Sequence, residues 1–468
     1  MDNKQNIQMI YELSSLQAGI YFDKMANPNS TRYVIQNIFK MKGAVNEGWI
    51  RRCVEILAQK YDVLRTSIIM APSTGKLWQV ILKNREIEVN FLVADSNESI
   101  ERIKISDISR NFDLQNDSLL RLNVIKTDNN GYTVLWTSHH IIIDGWCNGI
   151  LLGEFLRYYN LFENGYSYNQ ILELVEDEKT DIGLYKDYIS YISRIDKHKA
   201  SYYWKTILKD YDSVISIIPS RNNTDGHNNV VRFEIDTENN QKIGALVKSL
   251  NVTKNSIMEA AWGLLLMKYN AVHDVVFGKV VSGRNHNVKN IESSIGLYIN
   301  TIPVRCTFDE KEVVGEVIKN VFQQSIASQR YDFYPLGSML TDSGLRPPMF
   351  NTLFVYENYY VDKTKFISLE TISIEEERGR EETEYDICVG INDSESIELE
   401  LLFNSQKYSD EEMNLLLKRY QKILMEFVAK SEKSIQEITM VTQNDSDTIS
   451  EFAYPEGKIG KVSRTVID

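Results

Sequence analysis

A run of strand-forming side chains, Tyr132 to Ser138 (YTVLWTS), stops at two adjacent histidines. The chain then turns through His139-His140-Ile141-Ile142-Ile143-Asp144-Gly145 into an amphipathic stretch from Trp146 to Tyr159. Any fold adopted here must supply a strand end, a tight turn and a helix start at one place. At average residue usage, a chance H-H-x-x-x-D-G in a chain this long is on the order of one in a thousand. Neighbouring side chains on an extended segment point to opposite faces, so His139 and His140 do not serve the same centre. One is expected to face the core and the other a cavity. This argues against a metal: the residue types suit zinc, but its ligands must converge. The plainer reading makes both histidines satisfied interior residues and Asp144 a cap for the following helix. The coincidence of a strand end, a doubled histidine, an acid at the turn and a glycine permitting close backbone approach favours chemistry.

The rest of the chain interleaves strands and helices. Ser14 and Gln17 have the spacing of a capping box at a helix start. Trp49, Ile50, Cys53, Val54 and Leu57 make one apolar face of a helix over Asn46 to Tyr61. Strands are expected at Val63 to Ile69, Trp78 to Leu82, Ile87 to Val93 and Leu119 to Ile125. Between about Tyr166 and Tyr191 the pattern loosens, with acidic Glu173, Glu176, Asp177 and Glu178, and a lobe boundary is set at residue 178. Beyond it come a helix over Tyr185 to Leu208, a strand at Val230 to Ile235, and helices over Asn240 to Leu250 and Lys254 to Met267. A strand at Asp274 to Val281 runs into Ser282-Gly283-Arg284. A strand pair, Ile387 to Ile391 and Ile397 to Phe403, precedes a terminal helix capped by Ser409 with Glu412. The expected division is 1–177, carrying the histidine motif, then 178–443, then 444–468 as a linker. The class is mixed α/β, with mixed sheets and flanking helices.

Composition removes several function classes. The 52 Lys and Arg stand against 65 Asp and Glu, a formal charge of -13 without a long run of like charge, so nucleic acid is not an expected partner. The longest apolar stretches, such as Ile257 to Met267, fall short of the roughly 18 to 20 residues that cross a bilayer, and the polar start is no signal peptide. No membrane association and a cytoplasmic location are expected. Cys53, Cys147, Cys306 and Cys388 form no C-x-x-C pair and read as buried apolar side chains. There is no G-x-S-x-G setting and no phosphate loop, so neither a serine nucleophile nor ATP use is expected. What remains is a histidine that manages protons while two bound substrates react directly.

These residues resemble the condensation domains of nonribosomal peptide synthetases, in the superfamily of chloramphenicol acetyltransferase. The resemblance covers nearly the entire chain. Besides His139 to Gly145 with Trp146, it includes Leu13-Ser14-Ser15-Leu16-Gln17, Lys60-Tyr61-Asp62-Val63-Leu64-Arg65-Thr66 and Tyr185-Lys186-Asp187-Tyr188. It continues through Ile295 to Arg305 (IGLYINTIPVR), Tyr331-Asp332-Phe333-Tyr334-Pro335, and Phe350 to Tyr359 (FNTLFVYENY). Departures are Tyr61-Asp62 in place of His-Glu, an extra residue within Arg330 to Pro335, and Asp386, a candidate to line the cleft.

The resemblance implies two chloramphenicol acetyltransferase-like lobes in a V, with the motif in a central tunnel open at both faces. Phosphopantetheine arms of donor and acceptor peptidyl carrier proteins would enter from opposite sides. The acceptor amine attacks the donor thioester to form an amide, with no cofactor bound by the chain itself. His140 would be the catalytic imidazole, as base or as orienting group, and His139 structural. Asp144 would pair with Arg284 as a brace, and Gly145 would offer its backbone N–H to the reacting carbonyl. Trp146 reads as packing around the site. Trp146-Cys147 and Gln17-Ala18-Gly19 resemble variants that accept a donor ending in a D-residue. The Tyr454-Pro455 tail resembles a linker toward an adenylation domain, which implies a piece excised from a larger synthetase. An epimerisation domain and an inactive carrier-docking platform are the alternatives.

Overall fold

The strand that ends at the two histidines lies inside a sheet, and its alternation explains both faces of that sheet. The computed structural model describes residues 6–127, 131–212, 214–217, 228–357, 371–380, 385–393, 396–443 and 445–447. In chain order the first elements are β1 (Ile7–Glu12), α1 (Ser15–Ala26), β2 (Val34–Gly43), α2 (Glu47–Lys60), β3 (Thr66–Met70), β4 (Leu77–Leu82) and β5 (Glu88–Val93). Then follow α3 (Asn97–Arg110), β6 (Leu120–Lys126), β7 (Gly131–His139), α4 (Gly145–Glu163), α5 (Tyr168–Glu178), α6 (Tyr185–Arg194) and α7 (Lys197–Ile207). The later part holds β8 (Asn228–Ile235), α8 (Thr237–Leu250), α9 (Lys254–Asn270), β9 (Asp274–Val281), β10 (Asn300–Thr307), α10 (Val314–Ser328) and α11 (Leu336–Ser343). It closes with β11 (Thr352–Glu357), β12 (Ile372–Arg380), β13 (Ile387–Asp393), β14 (Ile397–Asn404) and α12 (Asp410–Ala429).

A five-stranded sheet has the order β12-β2-β7-β6-β5 and a six-stranded sheet the order β10-β9-β11-β13-β14-β8, with β1-β4-β3 as a small third. In the first, Val134 and Trp136 of β7 join the core shared with α2 and α4, whereas Leu135 packs with Ile100 and Ile103 of α3. Side chains two apart share a face, so Thr137 bonds Asp107 on α3 and His139 continues the same row. In the second sheet, α9 is sandwiched so fully that twelve of its residues are buried, and it packs with α10 and α12.

The mixed α/β reading holds, as do the capping boxes at Ser14/Gln17 and Ser409/Glu412. Four local readings differ. Residues 168–178, read as part of a loosened stretch, form α5 behind a Ser167/Gln170 capping box, its Glu178 bonded to Lys60 and Arg157. Tyr185 to Leu208 is two helices, because Asp196 accepts the His198 N–H and starts α7 afresh. Asp62–Arg65 is a short 3-10 turn rather than strand, held by the Arg65 guanidinium on the Leu82 carbonyl at 2.8 Å. The strand β12 has no counterpart among the expected elements. It leaves the later half of the chain and pairs antiparallel with β2, Ile372 opposite Gly43. Gly43 has φ +123 and abuts the Thr371 carbonyl, so a Cβ there would collide with the crossing strand. The tail read as linker, apart from 445–447, lies outside the described residues, as do Asn358 and Tyr359.

Candidate active site

Ladder bonds hold both histidines. The His139 N–H donates to Leu119 O at 2.9 Å and the His140 N–H to Tyr33 O at 2.7 Å. The His139 ring is fully buried against the edge of Phe112, and its Nδ1 accepts the Ile141 N–H at 3.2 Å. Burial, with His140 and Lys24 nearby, lowers its pKa to about 3, so it stays neutral. His140 is half-buried, with Nδ1 2.7 Å from the Ile143 carbonyl oxygen. A carbonyl only accepts, so Nδ1 carries the hydrogen and Nε2 is the basic nitrogen of the neutral ring.

Asp144 precedes α4 in the N-cap position but makes no side-chain cap bond to that helix. Its buried carboxylate instead accepts from Arg284 Nη2 at 3.1 Å, from the Tyr298 backbone N–H at 2.9 Å and from the Cys147 thiol at 3.2 Å. This is not the simple helix cap of the plainer reading. Arg284 is anchored in turn by the carbonyls of Ile291 at 2.7 Å and Ser294 at 2.9 Å, and its guanidinium lies 4.2 Å from the Tyr298 ring centroid. Burial opposes its charge, and Asp144 together with Cys147 and Tyr298 more than offsets that, so its pKa is raised. Gly283, at φ +62, lets this segment pass the Tyr298 carbonyl, which a Cβ would overlap. Burial and the Asp144 charge push the Cys147 thiol up to about 12, so it acts as a donor.

The structure thus brings His139, His140, Asp144 and Gly145 onto one strand-turn-helix junction and joins Arg284 to it from 140 residues away. Gly145 is the first residue of α4, where backbone N–H groups point out of the helix end. Trp146 is half-buried and bridges the halves through Nε1 to Glu292 O at 3.0 Å. Tyr298 and Cys147 were missed as parts of the site. Tyr298 lies in the IGLYINTIPVR segment, but its bond to Asp144 is through a backbone N–H, which side-chain chemistry cannot signal. Cys147 is buried as expected, yet hydrogen-bonded. Asp386 is bonded to Lys407. Among the described residues no group of three or more metal-ligating side chains converges, and no helix is long and apolar enough to cross a membrane.

A family model described as Condensation domain matches residues 7–450. The chain is 30% identical over 472 residues to a plipastatin synthase of Bacillus subtilis (strain 168), a match covering 97% of this chain and 18% of that protein. It is 28% identical over 472 residues to bacitracin synthase 3 of Bacillus licheniformis, covering 97% of this chain and 7% of that one. The chain therefore spans less than a fifth of the length of these relatives. Among solved structures, a four-domain nonribosomal peptide synthetase bound to AMP and glycine superposes with TM-score 0.77 at 18% identity, over 94% of this chain and 34% of that one. The X-domain from teicoplanin biosynthesis gives 0.75 at 16% identity, over 92% and 97% of the two chains. The first condensation domain of the calcium-dependent antibiotic synthetase, with a substrate analogue, gives 0.74 at 13% identity, over 93% and 100%. At these identities the structural likeness speaks for the fold.

Proposed function

The chain belongs to the condensation-domain family of nonribosomal peptide synthetases, and we propose that it joins two carrier-borne substrates through an amide bond. Its fold is the family's, mixed sheets with flanking helices in a pseudo-dimeric, chloramphenicol acetyltransferase-like arrangement. In this reading 1–177 and 178–443 are the lobes of a V, and phosphopantetheine arms of donor and acceptor carrier proteins meet in the passage between them. An adenylation domain would be the neighbour in the parent synthetase.

The acceptor amine attacks the donor thioester carbonyl; the C–N bond forms, the C–S bond breaks, and the donor arm leaves as a thiol. His140 Nε2 takes the proton from the cationic tetrahedral intermediate and returns it to the departing sulfur. An α-amine titrates near 8, roughly, so the acceptor needs no strong base beforehand. The Gly145 N–H, at the positive end of α4, faces the developing oxyanion. Asp144 braces the turn through Arg284 and takes no proton. Holding two tethered reactants in register can account for about 7 to 11 kcal/mol of barrier, more than proton transfer supplies.

The observation that carries this reading is the His140 Nδ1–H on the Ile143 carbonyl, which fixes Nε2 as the basic atom while Asp144 is bonded elsewhere. The experiment is turnover with two loaded carrier proteins, followed by intact mass, with D- and L-terminated donors compared. His140→Ala is expected to slow amide formation about a hundredfold without abolishing carrier binding. Stereochemical inversion without a new amide would make the chain an epimerase, and binding without product would make it a docking platform.

A further inference from the structure

The turn that carries His140 is held from the far side by a residue 124 positions away in sequence. Gln17 sits on the inner face of α1, completely buried, and all of its amide hydrogen-bonding capacity is used. Its Oε1 accepts from the Ser14 backbone N–H at 2.9 Å and from Gln79 Nε2 at 2.9 Å. Its Nε2 donates to Gln79 Oε1 at 3.0 Å and to the Ile141 carbonyl at 2.8 Å. Gln79, buried on β4, uses its remaining amide hydrogen on the Glu12 carbonyl at 3.0 Å. Because a backbone N–H can only donate, Ser14 dictates which end of the Gln17 amide is oxygen, and so aims Nε2 at Ile141.

Ile141, Ile142 and Ile143 have at most 1% exposure, so their backbone groups must find partners inside the protein. The Ile141 N–H donates to His139 Nδ1 at 3.2 Å and the Ile142 N–H to the His139 carbonyl at 3.2 Å, while the Ile143 carbonyl receives His140 Nδ1–H at 2.7 Å. The Ile141 carbonyl is therefore the point at which an outside element reaches into the middle of the turn. We infer that Gln17, backed by Gln79, is a positioning residue for the His140 imidazole: its amide fixes the Ile141 carbonyl and thereby the Ile143 carbonyl that orients the ring. Removing that donor leaves a buried acceptor unsatisfied, and the turn relaxes toward another partner. The inference rests on the assignment of His140 as the catalytic ring.

The test uses the full chain, with 15N-labelled histidine, and compares wild type with Gln17→Met, which keeps length and apolar bulk and loses the donor. The wild type is expected to show His140 as the Nδ1–H tautomer, and the variant a mixture containing the Nε2–H form. With loaded carriers, kcat should fall about ten- to a hundredfold with KM unchanged, the signature of lost orientation rather than lost binding. Gln36→Met is the control, since Gln36 is an equally buried glutamine in the same half, bonded to Asp107 and the Lys104 carbonyl, away from the turn. It should lower stability without moving tautomer or kcat. Gln17→Leu, which likewise lacks the donor, serves if the methionine variant does not fold. Wild-type tautomer in either folded variant overturns the inference. A chain that makes no amide at all would refute the function while leaving the tautomer shift to decide the clamp.

Discussion

Two buried aspartates in this protein are each bonded to an arginine and do different things. Asp107 on α3 accepts from Arg121 Nε at 2.7 Å, Asn123 Nδ2 at 2.8 Å, Gln36 Nε2 at 2.8 Å and the Thr137 hydroxyl. All four donors stand on β2, β6 and β7, so the carboxylate fastens one helix to its own sheet. Asp144 accepts from Arg284 and the Tyr298 N–H, both beyond residue 280 in the chain, and from Cys147 on the helix it precedes. Its pair ties the histidine turn to the other half of the molecule. Burial and chemistry are nearly the same, with 1% and 4% exposure in one pair and 3% and 0% in the other. Connectivity is what separates a brace for stability from a brace for a site.

The strongest way to break that contrast is to remove each carboxylate. Asp144→Ala and Asp107→Ala should each cost about 3 to 5 kcal/mol in urea unfolding, because either leaves a guanidinium buried without its counter-charge. Single-turnover amide formation per folded molecule should collapse at least about a hundredfold in the first and stay near wild type in the second. Equal losses of turnover would erase the distinction.

Acid should probe the same half by a different route. His139 has a folded pKa of about 3, against about 6.5 in the unfolded chain, so below that higher value the unfolded chain binds a proton the native state refuses. Stability is full above pH 6.5 and falls as pH drops toward 3. By pH 4.5 the loss should be about 2.7 kcal/mol, measured by denaturant titration at each pH. Arginine-bonded Glu88 and Glu178, each held down to about 2, start to contribute only below their unfolded values, and burial of Asp62, which raises its pKa, acts with the opposite sign, so the His139 share is read from the difference between wild type and a His139 variant. His139→Gln should flatten the slope. The smallest effect belongs to the thiol: Cys147→Ala should cost about 1 kcal/mol and Cys147→Ser less, since a hydroxyl restores the donor to Asp144. A larger loss in serine than in alanine would mean that the thiol acts as a buried apolar group and not as a donor.

Local rules made much of this legible. The capping boxes at Ser14 and Ser409 depend on residues three apart, and the β7 strand, its histidine pair and the α4 start are one continuous segment. The break at Asp196 was missed although it is also local, because the apolar period runs through it and hides the cap. β12 could not be read as the edge of the first sheet, since its partner β2 lies more than three hundred residues earlier and strand pairing carries no local signature. The Asp144–Arg284 contact was reachable only through family resemblance, and the Gln17 contact with the Ile141 carbonyl not at all.

By itself the sequence determined the residue types at the site, the alternation that turns His139 and His140 to opposite sides, and the helix that follows them. These are consequences of backbone periodicity, which acts over a few residues. Tertiary structure decided which nitrogen of His140 is basic, that Asp144 pairs with Arg284 instead of capping the backbone of its own helix, and that a glutamine near the start of the chain holds the turn. Each of those depends on satisfying a buried polar group with a partner that only the folded chain brings within reach.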